Sequence, residues 1–368
     1  MTQPRTRPRT RIAVLFGGPS GEHDVSCASA ASIVKHLDRS RFEVTPVRVT
    51  RDGVWVVGKD DPEQAELDQA ALVRMTAPDG VGFDRTHSLA AAVEALNHVD
   101  VAFPAFHGRY GEDGTVQSLL ELVGVPYVGN GVAASSVGMD KEWTKTLLRS
   151  AGLTVAPAVV LSGDESEVSE ADRERLGLPV FVKPAREGSS IGVTKVDDWT
   201  QLDDAVALAH RSDTKVLVES AVSGREIDIG VLQYSDGRVV CGPPLEIRLE
   251  HEGFFDFAAK YQSTRSALHF PTDLDPEVVA LLHGQAARIF RLLGCTGLLR
   301  VDFFLRPDGD RTLPVVNEVN TFPGFSARSQ YPQMWQTAGM AFPELLTILV
   351  DTALATVRPG GTDRALSG

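Results

Sequence analysis

The chain has 368 residues, 43% apolar and 23% charged, with a formal net charge of −13. That length exceeds one small core and predicts two or three domains. The acidic balance excludes a general nucleic-acid binder, because no basic surplus exists to neutralise a phosphate backbone. Local basic sites for a nucleotide's phosphates remain open.

Residues 1–10 carry Arg, Thr and Pro without the apolar stretch of a signal peptide, so a disordered tail is expected. Residues 11–16 form a short apolar run that ends at Gly17-Gly18, which reads as a buried strand feeding a loop. Helical apolar spacing follows over 25–37, strand alternation over 42–49, a helix over 90–96 and a strand over 99–104. This β-α-β order predicts a Rossmann-like parallel sheet over 11–130. Ligand loops of such sheets lie at the strands' carboxyl ends, where Gly17-Gly18 and His107-Gly108 fall.

A second domain is expected over 131–220. It contains a helix over 141–151, strands over 155–160, 178–184, 193–196 and 216–220, and a Gly/Ser loop at 185–192. The third, over 221–357, has a helix over 276–293, two apolar strands near 298–305 and 315–320, and a closing helix over 343–356. Residues 358–368 read as a tail. No apolar run reaches membrane-spanning length. Cys27, Cys241 and Cys295 lie far apart, with no metal or redox spacing, which suits a reducing cytoplasm.

The two apolar strands of the third domain carry the strongest chemical signal. Glu318 and Asn320 sit two residues apart on one strand and so share a face. Arg300 and Asp302 interrupt the other strand. Charges there are costly unless paired or metal-bound. Asp302, Glu318 and Asn320 form an all-oxygen set suited to Mg²⁺ shared with phosphates. A buried salt bridge from Arg300 to one of the acids is the competing reading.

The loop 187–192, with Lys183 just before it, can wrap phosphate oxygens, although an ordinary hairpin turn explains the same glycines. Together with a hard-metal site it points to nucleoside triphosphate chemistry. The glycine-rich stretch 107–114 reads either as a close-approach loop or as a surface turn. Glu22, ahead of a helix, reads by default as an N-cap. Lys260-Tyr261 lies in a long aromatic connection of the kind that forms lids.

Seven motifs in order resemble the D-alanine-D-alanine ligase family of the ATP-grasp superfamily. They are Gly17-Gly-x-Ser-x-Glu-His-x-Val-Ser26, His107-Gly-x-x-Gly-Glu-Asp-Gly114, Met139-Asp-Lys141, Lys183-Pro-x-Arg-Glu-Gly-Ser-Ser-x-Gly192, Phe254-x-Asp-x-x-x-Lys-Tyr261, Arg300-Val-Asp302 and Asn317-Glu-x-Asn-Thr-x-Pro-Gly324. The resemblance implies a three-domain ATP-grasp fold, mixing α/β and α+β parts. It implies ATP-dependent joining of two D-alanines through a D-alanyl phosphate, for peptidoglycan precursor synthesis.

By that resemblance, Asp302, Glu318 and Asn320 hold two Mg²⁺, with Mn²⁺ as an alternative. Lys141, Lys183, Ser190 and Lys260 meet the phosphates, Glu219 the adenine amine and Glu226 the ribose. Glu22 binds the first ammonium and joins Ser189 and Tyr261. His107 lies near the first substrate. Arg300 and the Gly324 N–H stabilise the oxyanion. Ser329 binds the second carboxylate, beside Gln330. It also implies a cytoplasmic homodimer with no nucleic-acid or membrane partner.

Gln330 stands where ordinary members carry leucine or methionine and D-lactate ligases often carry arginine. Tyr261, which the D-lactate ligases lack, argues for a dipeptide product. Acceptance of D-serine or D-lactate is the alternative.

Overall fold

The computed structural model describes residues 8–59, 84–163, 165, 167–249, 266–270, 273–309 and 311–356. The stretch with Lys260 and Tyr261, residues 1–7 and residues 357–368 lie outside the described residues.

The first sheet has the order β3-β2-β1-β4, with β1 Thr10–Gly17, β2 Phe42–Val49, β3 Trp55–Val57 and β4 Val101–Pro104. Strand β1 runs parallel to both β2 and β4. Six consecutive residues of β1, Ile12 to Gly17, are buried. Such an unbroken apolar run suits a strand covered on both faces. Helix α1 (His23–His36) covers one face, and α2 (Arg85–Leu96) packs on β3. The edge strand β3 pairs antiparallel with β2, so the sheet is mixed rather than wholly parallel. With only three residues, β3 is too short to give a periodic signal.

Helices α3 (Thr115–Val123), α4 (Val132–Met139) and α5 (Lys141–Ser150) lead to a second sheet. This sheet has the order β5-β8-β6-β7, from β5 Ala158–Ser162, β6 Val180–Pro184, β7 Thr194–Val196 and β8 Lys215–Ser220. Helices α6 (Glu170–Leu176) and α7 (Leu202–His210) belong to this part. Its core, around Val180, Val182, Val206 and Val218, forms a separate cluster.

The third sheet has β9 Arg225–Gln233 against β13 Leu298–Asp308, and β13 against β14 Arg311–Asn320. Strands β10 Val239–Cys241, β11 Leu245–Leu249 and β12 Ser266–His269 complete it on the far side of β9. Helix α8 (Pro276–Leu292) packs Leu282, Ala286 and Ile289 into this sheet's core. Asp275 caps it by accepting from the Glu277 N–H, and a proline stands in the first turn, where its missing N–H costs nothing.

The last two helices, α9 (Gln330–Thr337) and α10 (Phe342–Ala355), return to the beginning of the chain. Phe322, Phe325, Tyr331, Leu345, Leu349 and Ala353 share one core with Ile12, Val14, Phe16 and Ile33. The buried Asn130 fastens the same junction. Its amide donates to the carbonyls of Leu298 at 2.8 Å and Thr321 at 2.7 Å, and its oxygen accepts from the Thr296 N–H at 3.0 Å.

Candidate active site

Two adjoining cavities lie where the three sheets meet. The smaller, about 440 Å³, is lined by Glu22, His107, Glu112, Arg300, Gly324, Ser329 and Gln330 among others. The larger, about 710 Å³, lies between the second and third sheets. It has apolar walls from Phe181, Val222, Ile247, Phe304 and Val315 and cations from Lys141, Lys183 and Lys195. Lys141, Glu187, Gly188, Ser189 and Glu318 line both cavities.

Glu22 occupies the N-cap position of α1, but its carboxylate makes no cap bond. Instead it accepts the Ser189 hydroxyl proton from the second domain. The buried carboxylate is cradled by glycines: a Cβ on Gly108 would stand 2.5 Å, and one on Gly188 2.6 Å, from its Oε2. Either Cβ would push the carboxylate aside, so glycine at both positions lets the two loops close on it. The default cap reading of Glu22 is replaced, and the contact with Ser189 that the family resemblance implied is present.

The loop between β6 and β7 is a hairpin connection, since the two strands pair antiparallel. Its conformation is not that of an ordinary turn. Ser189 and Ser190 adopt left-handed φ values of 51° and 58°. Non-glycine residues there cost about 1–3 kcal/mol each and are held only by surrounding contacts. Those contacts include Lys141 Nζ donating to the Glu187 carbonyl at 2.6 Å. Arg109, from the glycine-rich loop of the first domain, donates to the Arg186 carbonyl at 3.2 Å and meets Glu187 at 3.3 Å.

His107 is fully enclosed. Its Nδ1–H donates to the Phe322 carbonyl at 3.2 Å, which leaves Nε2 to accept from Ser29 at 2.8 Å. Burial pushes its pKa down to about 4, so the imidazole is neutral near pH 7. Glu112 stands 3.9 Å away and accepts from the N–H groups of Gly108 at 2.9 Å and Phe322 at 3.1 Å. Burial first, and then the nearby Glu22 charge, raise its pKa to about 8.

On the third sheet the register sets Asp302 opposite Glu318 and Arg300 opposite Asn320. Arg300 makes a bidentate pair with Asp302, at 2.7 Å for both bonds. The competing salt-bridge reading is therefore also realised. Burial opposes the Arg300 charge, but Asp302, Asp228 and Glu318 outweigh it and raise its pKa well above the usual value. Asn320 donates its amide to Asp302 at 3.0 Å, and Gln330 Oε1 accepts from Arg300 at 2.9 Å. Asp302 lines neither cavity; Glu318 lines both.

On the wall of the larger cavity, Glu219 is buried between two ammonium groups. Lys183 Nζ is 2.7 Å from its Oε1 and Lys145 Nζ 2.7 Å from its Oε2. Burial raises the Glu219 pKa, yet the two lysines win and hold it below the usual value. Glu226 and Ser190 also line this cavity. At the other end, Ser329 begins α9 and accepts from the Ser326 N–H at 3.0 Å, with Gly324 packed beside it.

The structure thus brings Glu22, Ser189, His107, Arg300, Gly324, Ser329 and Gln330 to one cavity. Lys183, Ser190, Glu219 and Glu226 meet at the other. Sequence reasoning assigned no role to Glu112, Arg109 or Lys145. A signal for Lys145 existed, since it falls four residues after Lys141 on a helix and so shares its face.

Two sequence profiles fit this architecture. One, described as "D-ala D-ala ligase N-terminus", matches residues 11–130, and the other, "D-ala D-ala ligase C-terminus", matches residues 147–351. The chain belongs to the D-alanine-D-alanine ligase family. It is 49% identical to a D-alanine--D-alanine ligase of Mycobacterium sp. (strain KMS), covering 94% of this chain and 97% of that protein. Among solved structures it is similar to the VanG D-Ala:D-Ser ligase from Enterococcus faecalis. That likeness has a TM-score of 0.79 and 34% identity over 94% of this chain and all of the other. The D-alanine--D-alanine ligase from Bacillus anthracis, solved in complex with ATP, aligns with a TM-score of 0.71 and 27% identity, covering 94% of this chain and 97% of that one. The ATP-grasp assignment of the fold accords with these neighbours. Among the described residues no single helix is long and apolar enough to cross a membrane.

Proposed function

We propose that this protein joins two D-alanines into D-alanyl-D-alanine at the expense of ATP, in peptidoglycan precursor synthesis. The observation that carries the reading is the pair of adjoining cavities. One is lined by a carboxylate, Glu22, and a guanidinium, Arg300, a pair suited to amino-acid zwitterions. The other offers an apolar slot ending in lysines, suited to a nucleotide.

The reaction needs two steps. The carboxylate of the first D-alanine takes the γ-phosphoryl group of ATP, giving D-alanyl phosphate and ADP. The amine of the second D-alanine then attacks the carbonyl carbon, loses a proton, and phosphate leaves. Glu22 holds the first ammonium, and His107 stays neutral beside it. Lys141, Lys183 and Ser190 hold phosphate oxygens, and Lys260 joins them. Glu219 accepts from the adenine amine and Glu226 from the ribose. Arg300 and the Gly324 N–H stabilise the oxyanion of the tetrahedral step. Ser189 and Tyr261 orient the second amine. Ser329 receives the second carboxylate, with Gln330 alongside.

Asp302, Glu318 and Asn320 fit Mg²⁺ by donor chemistry, being two carboxylates and an amide at neighbouring positions of paired strands. Two Mg²⁺ bound there, or Mn²⁺ in their place, would neutralise charge on the transferring phosphoryl group. The reading extends to a cytoplasmic homodimer, which light scattering on the purified protein tests.

The deciding experiment supplies ATP, Mg²⁺ and D-alanine, then adds D-serine or D-lactate, and resolves products by mass. D-Ala-D-Ala as the main product supports the reading. A mixed dipeptide or a depsipeptide as the main product would overturn the substrate choice, which the curated relatives' names do not favour.

A further inference from the structure

Helix α5 carries two lysines one turn apart, and they do different things. Asp140 fixes where the helix begins, accepting from the Glu142 N–H at 3.1 Å and the Trp143 N–H at 3.2 Å and pairing with Lys215 at 2.7 Å. Lys141 therefore points into the cavities, which it lines. Lys145 lines neither cavity, and its side chain is only 4% exposed. A buried ammonium that reaches no ligand space must be justified by what it holds.

It holds both walls of the larger cavity. Its ammonium forms an ion pair with Glu219 on β8, Nζ to Oε2 at 2.7 Å. It also donates a hydrogen bond to the main-chain carbonyl of Asn317 on β14, at 2.8 Å. The residue after Asn317 is Glu318, which lines the cavity. Glu219 in turn grips Lys183. A single cation thus sets the Glu219 carboxylate, through it the Lys183 ammonium, and the path of β14 just before Glu318. A backbone link, the Val316 N–H to the Thr154 carbonyl at 2.8 Å, is made one residue before Asn317.

We propose that Lys145 is a positioning residue for the nucleotide, a strut between the second and third sheets that holds Glu219 and the Asn317 carbonyl in the geometry the cleft requires. The inference rests on the ATP-site reading above. It concerns a group that touches no substrate, so its loss acts through Glu219 and β14.

The test is ADP binding to the full-length protein by calorimetry, with steady-state KM values for ATP and D-alanine. Lys145→Met keeps the apolar stem and removes the charge. We expect ADP affinity to fall at least about tenfold, a change of about 1.4 kcal/mol. We expect KM for ATP to rise in step and KM for D-alanine to stay within about twofold, because Lys145, Glu219 and Lys183 do not line the smaller cavity. In a Glu219→Gln background the same substitution should cost much less than it does alone, since much of its effect passes through Glu219. If Lys145→Met does not fold, Lys145→Gln, which keeps a donor for the Asn317 carbonyl, carries the same comparison. An unchanged ADP affinity, an equal rise in both KM values, or full additivity with Glu219→Gln would overturn the proposal. Wild-type protein that binds no ADP would instead overturn the ATP-site reading itself.

Discussion

The Ser189 hydroxyl donates to the Glu22 carboxylate, joining two residues 167 positions apart in the chain. One stands at the head of the first helix, the other in the strained loop of the second sheet. Ser189 lines both cavities and Glu22 only the smaller, so the contact ties the head of α1 to the loop at their boundary.

Gly188→Ala should uncouple these two. The backbone at Gly188 does not require glycine by its φ, but the added methyl would meet Glu22 Oε2 at 2.6 Å. We expect kcat/KM for D-alanine to fall by about a hundredfold, the scale set by ångström misplacements at a reacting centre. Steady-state kinetics checks this, and an unchanged value would show that Glu22 has room to move.

His107 should make the fold sensitive to acid. Its folded pKa is about 4, against 6.5 for the ordinary group, so between these values the unfolded chain binds more protons. Stability from this group is therefore complete above pH 6.5 and is lost as pH falls toward 4, by about 3 kcal/mol in all. Urea unfolding at several pH values reads the slope, which His107→Gln should flatten. Equal slopes in both proteins would remove His107 as the source.

Asp302→Asn, Glu318→Gln and Lys183→Ala should each nearly abolish turnover. The first also removes the anion that holds Arg300 by two bonds of 2.7 Å. Glu318 instead stands 4.0 Å from Lys141 Nζ, so Glu318→Gln tests the metal assignment while both Arg300–Asp302 bonds stay in place. Its residual rate should rise with added Mg²⁺ more steeply than that of the wild type. Phosphate release measures all three, and a normal rate in any of them would sink that residue's role.

Gln330→Leu should be mild. It removes the 2.9 Å bond from Arg300 to Gln330, while both Asp302 bonds remain. A loss of turnover within about tenfold is expected, the worth of one hydrogen bond. A hundredfold loss would mean that the amide, rather than Asp302, orients the guanidinium.

The sequence made the site's polar anchors legible because they interrupt apolar strands or sit among glycines. Arg300, Asp302, Glu318 and Asn320 stand out for that reason, and the register then sets them side by side. The first strands and the long helix α8 were equally plain from periodicity. Strand β9 was not, although it is central to the third sheet, between β11 and β13. Its Asp228 is a buried acid in an apolar run that no local pattern explains, because its partner Arg300 is distant in sequence and 3.5 Å away in space. Short helices such as α4 and α9 lack the length for a clear period. Glu112 looked like one charge among several in a turn; its burial becomes visible only when Phe322 folds over it.

The shared core of the chain's two ends has a kinetic meaning. Ile12, Val14 and Phe16 pack in one cluster with Leu345, Leu349 and Ala353. During synthesis the first sheet can form its ladder early, but one face stays uncovered until α10 has emerged. Contacts this distant in sequence slow folding and leave apolar surface open to wrong partners. The second sheet, with its own core, has no such wait. Nascent chains stalled before residue 342 should therefore be the form most dependent on chaperones.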